Sequence, residues 1–208
     1  MSSLRGTCPL YPSEPLVEPK ELRDDLRNLE VHTNNYGSFP SNAYPTPMQE
    51  GMRYFAWSRG DGDISCEQIF ASGLIYNLTD ILRITPEGER NVYLSGVVTS
   101  LFHVLQFAKN FYSKYTYQGT LDGYILLRNM NNVEFKPIVP GFFNEGKSSL
   151  LDSYRWDLYL DTSIIFKNEN FQNFFIKTMR DIYWSLGFES LSDQTVINFL
   201  EKSMGWKI

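Results

Sequence analysis

Two strings in this sequence have the residue types and spacing to do chemistry. The first is Gly141-Phe-Phe-Asn-Glu-Gly146-Lys147-Ser148, a full match to the phosphate-loop pattern G-x-x-x-x-G-K-[ST]. In that pattern backbone amides cradle phosphates, the lysine reaches them and the hydroxyl holds Mg²⁺. Gly146, Lys147 and Ser148 would then be the nucleotide-binding residues. The surroundings oppose this reading, because such a loop leaves a buried parallel strand and opens a helix. Here Pro137 and Pro140 precede it and a strand-like run follows. Only about sixty residues remain after Ser148, too few for the repeated strand-helix units of nucleotide-binding folds. A solvated hairpin loop accounts for the same letters.

The second is Asp122 followed by Glu134-Phe135-Lys136 on the next expected strand. Metal-dependent nucleases of the PD-(D/E)xK kind place their ligands in this way: two carboxylates hold Mg²⁺ and the lysine orients or activates the attacking water. Asp122, Glu134 and Lys136 are the catalytic candidates under that alternative. Three loosely spaced polar residues also belong on the wet face of any antiparallel sheet, and no nearby helix offers a further carboxylate.

The remaining reactive side chains form no pattern. His32 trails a short helix into loop, and His103 falls off the apolar stripe of its helix, which reads as a surface or rim position. With two histidines and two cysteines scattered, neither a zinc site nor a Cys-His dyad has its spacing, and no G-x-S-x-G elbow occurs. Arg59-Gly60-Asp61, continued by Gly62-Asp63, reads as turn chemistry. No metal site and no cofactor are expected, Mg²⁺ entering only under the two alternatives. Recognition surfaces are better supported: Tyr54, Phe55 and Trp57 crowd one strand, and Phe107, Phe142 and Phe143 lie outside the helix stripes. Large apolar residues beyond the needs of the core point to a partner, although a sheet covered on both faces would make them core.

The elements that must position these groups follow from periodicity. Four prolines by position 19 make residues 1–18 an extended arm, and Leu22, Leu26 and Leu29 give a short helix over 19–31. From Thr33 to Gly51 turn formers are dense enough to predict a linker. Met52 to Ser58 and a run centred on Gln68-Ile-Phe70 form a hairpin. Leu74 to Ile84 gives a third strand, closed by the turn Pro86-Glu-Gly88. Val97, Leu101, Val104, Leu105, Ala108, Phe111, Tyr112 and Tyr115 repeat at three and four, predicting a long helix with Ser95 as its cap. Gly123 to Leu127 and Val133 to Val139 read as partner strands across an Asn131-Asn132 turn, followed by a loop over 140–151. Tyr154 to Phe166 alternates as a half-buried strand. A second long helix runs from Phe171 to Leu186 with Gly187 as its stop, and a shorter one opens at Ser192 and ends near Gly205.

The expected fold is therefore α+β: a mainly antiparallel sheet of about six strands with two long and two short helices. Residues 1–50 form the arm, short helix and linker, and 51–208 a single domain. At 208 residues and 42% hydrophobic, with 15% aromatics, the chain can bury a core that needs no disulfides. Cys8 and Cys66 are expected as reduced thiols. A net charge of −5 gives no pull toward a phosphate backbone, so direct nucleic-acid binding is not expected. The absence of a long apolar run and of a basic-then-apolar start predicts a cytoplasmic protein away from membranes.

Several local phrases add a resemblance: Tyr54 to Trp57, Ile69-Phe-Ala-Ser-Gly-Leu-Ile75, Phe107-Ala-Lys-Asn-Phe-Tyr112 before Tyr117-Gln-Gly119, Tyr154-Arg-Trp-Asp157, and Ile182-Tyr-Trp-Ser-Leu-Gly187. Together they resemble the accessory domain that follows Schlafen-type Alba-like (divergent AAA) domains in bacterial ATP-binding or regulatory proteins. The resemblance spans roughly residues 50–190 and contains no catalytic signature. It implies a companion to a nucleic-acid-linked or nucleotide-linked module, but the Alba-like core itself is absent, so none of its binding residues carries over. The function expected from the whole sequence is a non-enzymatic interaction or regulatory domain that acts with a protein partner or as a homo-oligomer.

Overall fold

The computed structural model describes residues 2–8, 15–34, 37–41, 44–57, 64–138, 146–189 and 191–206. The chain begins with strand β1 (Ser2–Cys8) and helix α1 (Pro19–Leu29). Pro19 opens the helix, where a missing N–H costs nothing and the fixed φ is already helical. Leu22, Leu26 and Leu29 bury its inner stripe. The chain continues into β2 (Val31–Thr33), and the predicted linker after it holds two more short strands, β3 (Gly37–Phe39) and β4 (Thr46–Met48). Gly37, at φ +79°, lets β2 and β3 pair as a hairpin. Pro47 is tolerated because β4 is the edge of its sheet.

The predicted hairpin is present as β5 (Gly51–Trp57) and β6 (Ile64–Phe70), in register from Gly51 opposite Phe70 to Trp57 opposite Ile64. The turn read at Arg59–Asp63 lies outside the described residues. What reads as one strand from Leu74 to Ile84 is two, β7 (Ile75–Thr79) and β8 (Leu82–Ile84), in different sheets. Between them the Asp80 carboxylate accepts a hydrogen bond from Leu82 N at 3.1 Å and turns the chain. Strand β9 (Arg90–Tyr93) then runs directly into helix α2 (Leu94–Lys114). Its N-cap is Tyr93, which makes no capping hydrogen bond, and Ser95 sits inside the first turn rather than at the cap.

Strand β10 (Thr120–Arg128) is followed by β11 (Glu134–Lys136), but the two do not pair. Both edges of β10 are already taken by β1 and by β13 (Ser153–Asp161). The chain turns away through Asn129 and Asn132, at φ +60° and +55°, and Arg90 donates to the carbonyls of Asn129 and Asn131 at 2.7 and 2.5 Å. So β11 lies parallel to β9, with β12 (Lys147–Ser148) on its other side. The alternation in β13 is as expected, Leu158 and Leu160 inward. The strand ends at Asp161, whose carboxylate caps helix α3 (Thr162–Phe166) by accepting from Ser163 N, so the predicted run to Phe166 is part helix. Helix α4 (Asn168–Ser185) is followed by Gly187 at φ +85°. Ser192 caps α5 (Asp193–Phe199), which continues into a π-helical turn, Leu200–Met204, closed by Gly205 at φ +70°.

The fold is α+β, with more and shorter strands than expected. A seven-stranded antiparallel sheet has the order β13-β10-β1-β7-β6-β5-β4, beside a four-stranded sheet β12-β11-β9-β8 and the pair β2-β3. One face of the large sheet presents Met52, Tyr54, Ile69, Ile75, Leu121, Ile125, Leu158 and Leu160 to the helices. Helix α2 buries most of its residues between this face and the other helices, and keeps Ser95, Ser100, Gln106 and Lys109 half-buried. Phe102 meets Phe171, Phe175 and Trp206 edge-on at centroid distances of 5.7–6.5 Å. Leu22, Leu26, Leu29, Val31 and Phe39 belong to the same core, so α1 and the β2-β3 hairpin pack against the rest of the fold. The tie is also polar: the Tyr115 hydroxyl donates to Asp25 of α1 at 2.6 Å.

Candidate functional site: a polar cavity and an open sheet face

On strands β6 and β7 the residues facing α2 are not all apolar. Period-two alternation sends Ser65 and Glu67 to the same side as Ile69, and Asn77 and Thr79 to the same side as Ile75. The opposed stretch of α2 carries Ser95, Gly96, Thr99, Ser100 and His103. Where a core would continue there is instead a cavity of about 480 Å³, rimmed by Ser38–Ser41 and by Asp80–Arg83. Four of the eight buried polar or charged residues among the described residues line it: Glu67, Asn77, Thr99 and His103.

Glu67 is 4% exposed. Its Oε2 accepts from Ser41 N at 3.2 Å and Ser41 Oγ at 2.8 Å, and its Oε1 from Ser65 Oγ at 2.8 Å. Burial pushes its carboxyl pKa up and these three donors pull it back, with burial the larger effect. The same burial, with the Glu30 and Glu67 charges nearby, pushes neighbouring Tyr54 up to about 12.

His103 is 6% exposed, so the expected surface or rim position is overturned. The histidine lies on the side of α2 that faces the cavity and the β2-β3 hairpin, not on its half-exposed side. Burial lowers its pKa to about 4, which makes it neutral near pH 7. Its tautomer is tied to one neighbour. Thr33 Oγ1 lies 3.0 Å from Gly37 O and 3.1 Å from His103 Nε2. When the Thr33 hydroxyl proton goes to Gly37 O, the imidazole donates from Nε2 to the hydroxyl oxygen; when it goes to Nε2, the imidazole accepts. Elsewhere on the wall, Thr79 donates to Asn77 Oδ1 at 3.1 Å. Ser38 Oγ is one of two buried side-chain polar atoms without a partner among the described residues.

Neither predicted catalytic string is assembled by these elements. Asp122 lies on β10 opposite Tyr159 of β13, in the large sheet, whereas Glu134 and Lys136 lie on β11 in the four-stranded sheet. Glu134 and Lys136 form an ion pair of 2.6 Å with each other. Among the described residues no three His, Cys, Asp or Glu side chains gather to hold a metal. In the phosphate-loop string, Lys147 and Ser148 form a strand antiparallel to β11 instead of opening a helix. The Glu134 side chain lies so close over Gly146 that a Cβ there would collide with it, and a carboxylate occupies the place where an anion would be cradled. Residues 141–145, including Phe142 and Phe143, lie outside the described residues.

Of the proposed recognition residues, Tyr54 is corrected to core, 7% exposed and facing α1 and the cavity side, while Phe55 beside it is 56% exposed on the opposite face. Trp57 belongs to β5, and its side chain lies outside the described residues. Phe107 is fully buried. The face opposite the helices carries two cross-strand rows. One runs Phe55, Cys66 and Leu78 and reaches Leu126 across Ser3 of β1, the other runs Arg53, Gln68 and Tyr76 and reaches Tyr124 across Arg5. Tyr159 extends this face on β13 at 72% exposure, and Arg155 stacks on Tyr124 at 4.4 Å. Cys66 is a free thiol there, its pKa raised by burial.

Sequence reasoning missed the cavity, yet its signal was present: Ser65 and Glu67 alternate with Cys66 and Gln68, which places a carboxylate on the inward face of a central strand. No family model matches this chain, and no curated protein or solved structure matches it. Among the described residues no helix is long and apolar enough to cross a membrane.

Proposed function

We propose that this chain is a non-enzymatic interaction domain that docks a protein partner on the outer face of its seven-stranded sheet. The observation that carries the reading is the one-sided packing. Helices α1 to α4 stack on the face that bears Tyr54 and Ile69, and the other face keeps Phe55, Leu78, Leu126, Tyr76, Tyr124 and Tyr159 without a described helix over them. Contiguous apolar and aromatic surface of this kind marks interaction sites, and aromatic and arginine side chains are the usual anchors. The resemblance to accessory domains that follow Schlafen-type Alba-like domains favours a companion module in a nucleic-acid-linked system as the partner, and a regulatory role for the docking.

The test compares the wild-type chain with a Phe55→Asp, Tyr159→Asp double variant. Both sites are exposed, so the changes leave stability nearly unaltered, within about 0.5 kcal/mol each. Light scattering on a concentration series and affinity capture followed by a binary assay with the purified partner should show association by the wild-type chain that the variant loses. A wild-type chain that stays monomeric and binds no protein, or a variant that binds equally well, would remove the reading.

A further inference from the structure

The cavity between β6, β7 and α2 has no part in the docking reading, and its chemistry points to a ligand of its own. Burying polar side chains where a core could continue is costly unless each is hydrogen-bonded, and this wall is only partly satisfied. The Glu67 carboxylate has about four acceptor positions and uses three. Ser38 Oγ, buried behind the same wall, has no partner among the described residues. A volume of about 480 Å³ suits a small molecule, and pockets for such ligands run from about 300 to 1,000 Å³.

Charge narrows the class. Two carboxylates, Glu67 and Asp80, line the cavity against one guanidinium, Arg83, at its exposed rim. His103 contributes no positive charge near pH 7. The uncapped N-terminus of α2 adds about half a positive charge near Ser95 and Gly96, which does not offset two carboxylates. An anion is therefore repelled, and a ligand that carries both an ammonium and hydroxyl groups matches the wall.

We propose that this cavity binds a small hydroxylated amine of amino-sugar type, its ammonium against Glu67 and its hydroxyls among Ser41, Ser65 and Ser100. Glucosamine, glucose and glucose 6-phosphate share one ring and differ in charge, so they are the probes. Titration calorimetry with amide chemical-shift mapping at neutral pH should give glucosamine about tenfold tighter than glucose, because a hydrogen bond between two charged groups is roughly twice as strong as a neutral one. Glucose 6-phosphate should not bind. The amides of Gly96 and His103 should shift with glucosamine. Glu67→Gln should remove the preference for the amine while keeping the glucose affinity. Gly96→Phe, whose Cβ would sit 3.7 Å from the Ile81 side chain on the cavity wall and whose ring would fill the cavity, should abolish both. If Glu67→Gln fails to fold, Gly96→Phe decides alone. Equal affinity for glucosamine and glucose, no shift at the cavity amides, or binding that survives Gly96→Phe would each overturn the proposal.

Discussion

His103 gives the sharpest test of how the interior is built. Its imidazole is held neutral by burial, shares a hydrogen bond with the Thr33 hydroxyl through Nε2, and titrates at about 4 instead of at 6.5. The unfolded chain therefore takes up this proton at a higher pH than the folded protein does. A group whose folded pKa is depressed contributes stability that is present above its unfolded value and is lost as pH falls toward the folded one. Linkage over that window gives a loss of about 2 kcal/mol by roughly pH 5 and about 3 kcal/mol once both forms are protonated. Glu67 works in the opposite sense. Its raised carboxyl pKa contributes stability that is present at acid pH and lost as pH rises through the folded value. A wild-type profile alone would mix the two, so the measurement is a difference. Urea denaturation of wild type and His103→Gln should be followed from about pH 7.5 to 4.5, the range in which the histidine contribution changes. The gap between the two proteins should narrow by about 2 kcal/mol as the wild type loses the histidine contribution and the variant does not. The ring-proton resonance of His103 should stay that of a neutral imidazole throughout most of this range. A gap that is flat with pH, or a ring that titrates near its ordinary value, would refute the account of a dry, neutral histidine.

Three further outcomes follow from particular contacts. Phe102→Ala removes the ring that Phe171, Phe175 and Trp206 surround, and should cost about 3–5 kcal/mol by urea denaturation. Tyr183→Phe leaves the buried Ile138 N–H without its 2.7 Å acceptor and should cost about 1–3 kcal/mol, with faster hydrogen exchange at the Ile138 amide. Gly51→Ala places a Cβ against the Ile69 carbonyl and 2.9 Å from Phe70 Cα, both backbone, so it should lower stability by about 1–3 kcal/mol, seen as a lower melting temperature.

Periodicity and capping chemistry were legible where elements are long. The stripe on α2, the alternation of Leu158 and Leu160 on β13, and the stops at Gly187 and Gly205 follow from local physics that acts within a few residues. Strands of two to four residues carry too few alternations to show a period, which hid β2, β3, β4, β9 and β12. Partner choice is not local at all. Nothing in Val133 to Val139 says that β10 has no free edge in the finished sheet, where β1 and β13 occupy both sides of it and β11 pairs with β9 instead. The prolines that suggested an arm begin at Pro9, one residue after β1 ends, so they mark its exit and not its interior. Glu67 was readable as an inward residue from its alternation with Cys66 and Gln68. That it opens onto a cavity depends on the serines and His103 of α2, some thirty residues away.

The position of β1 sets the order in which the large sheet can be completed. It is the only link between β7-β6-β5-β4 and β10-β13, pairing Ser2 with Thr79 on one side and with Leu127 on the other. The two half-sheets are closed by comparatively short connections and can form early, while β1 must span the longest separations in the sheet, an entropic cost that delays such pairings. During synthesis β1 emerges before either neighbour exists and waits for both. Until it docks, β7 and β10 each present a bare edge, so the interval before β1 inserts is when this chain is most exposed to pairing with strands of other molecules.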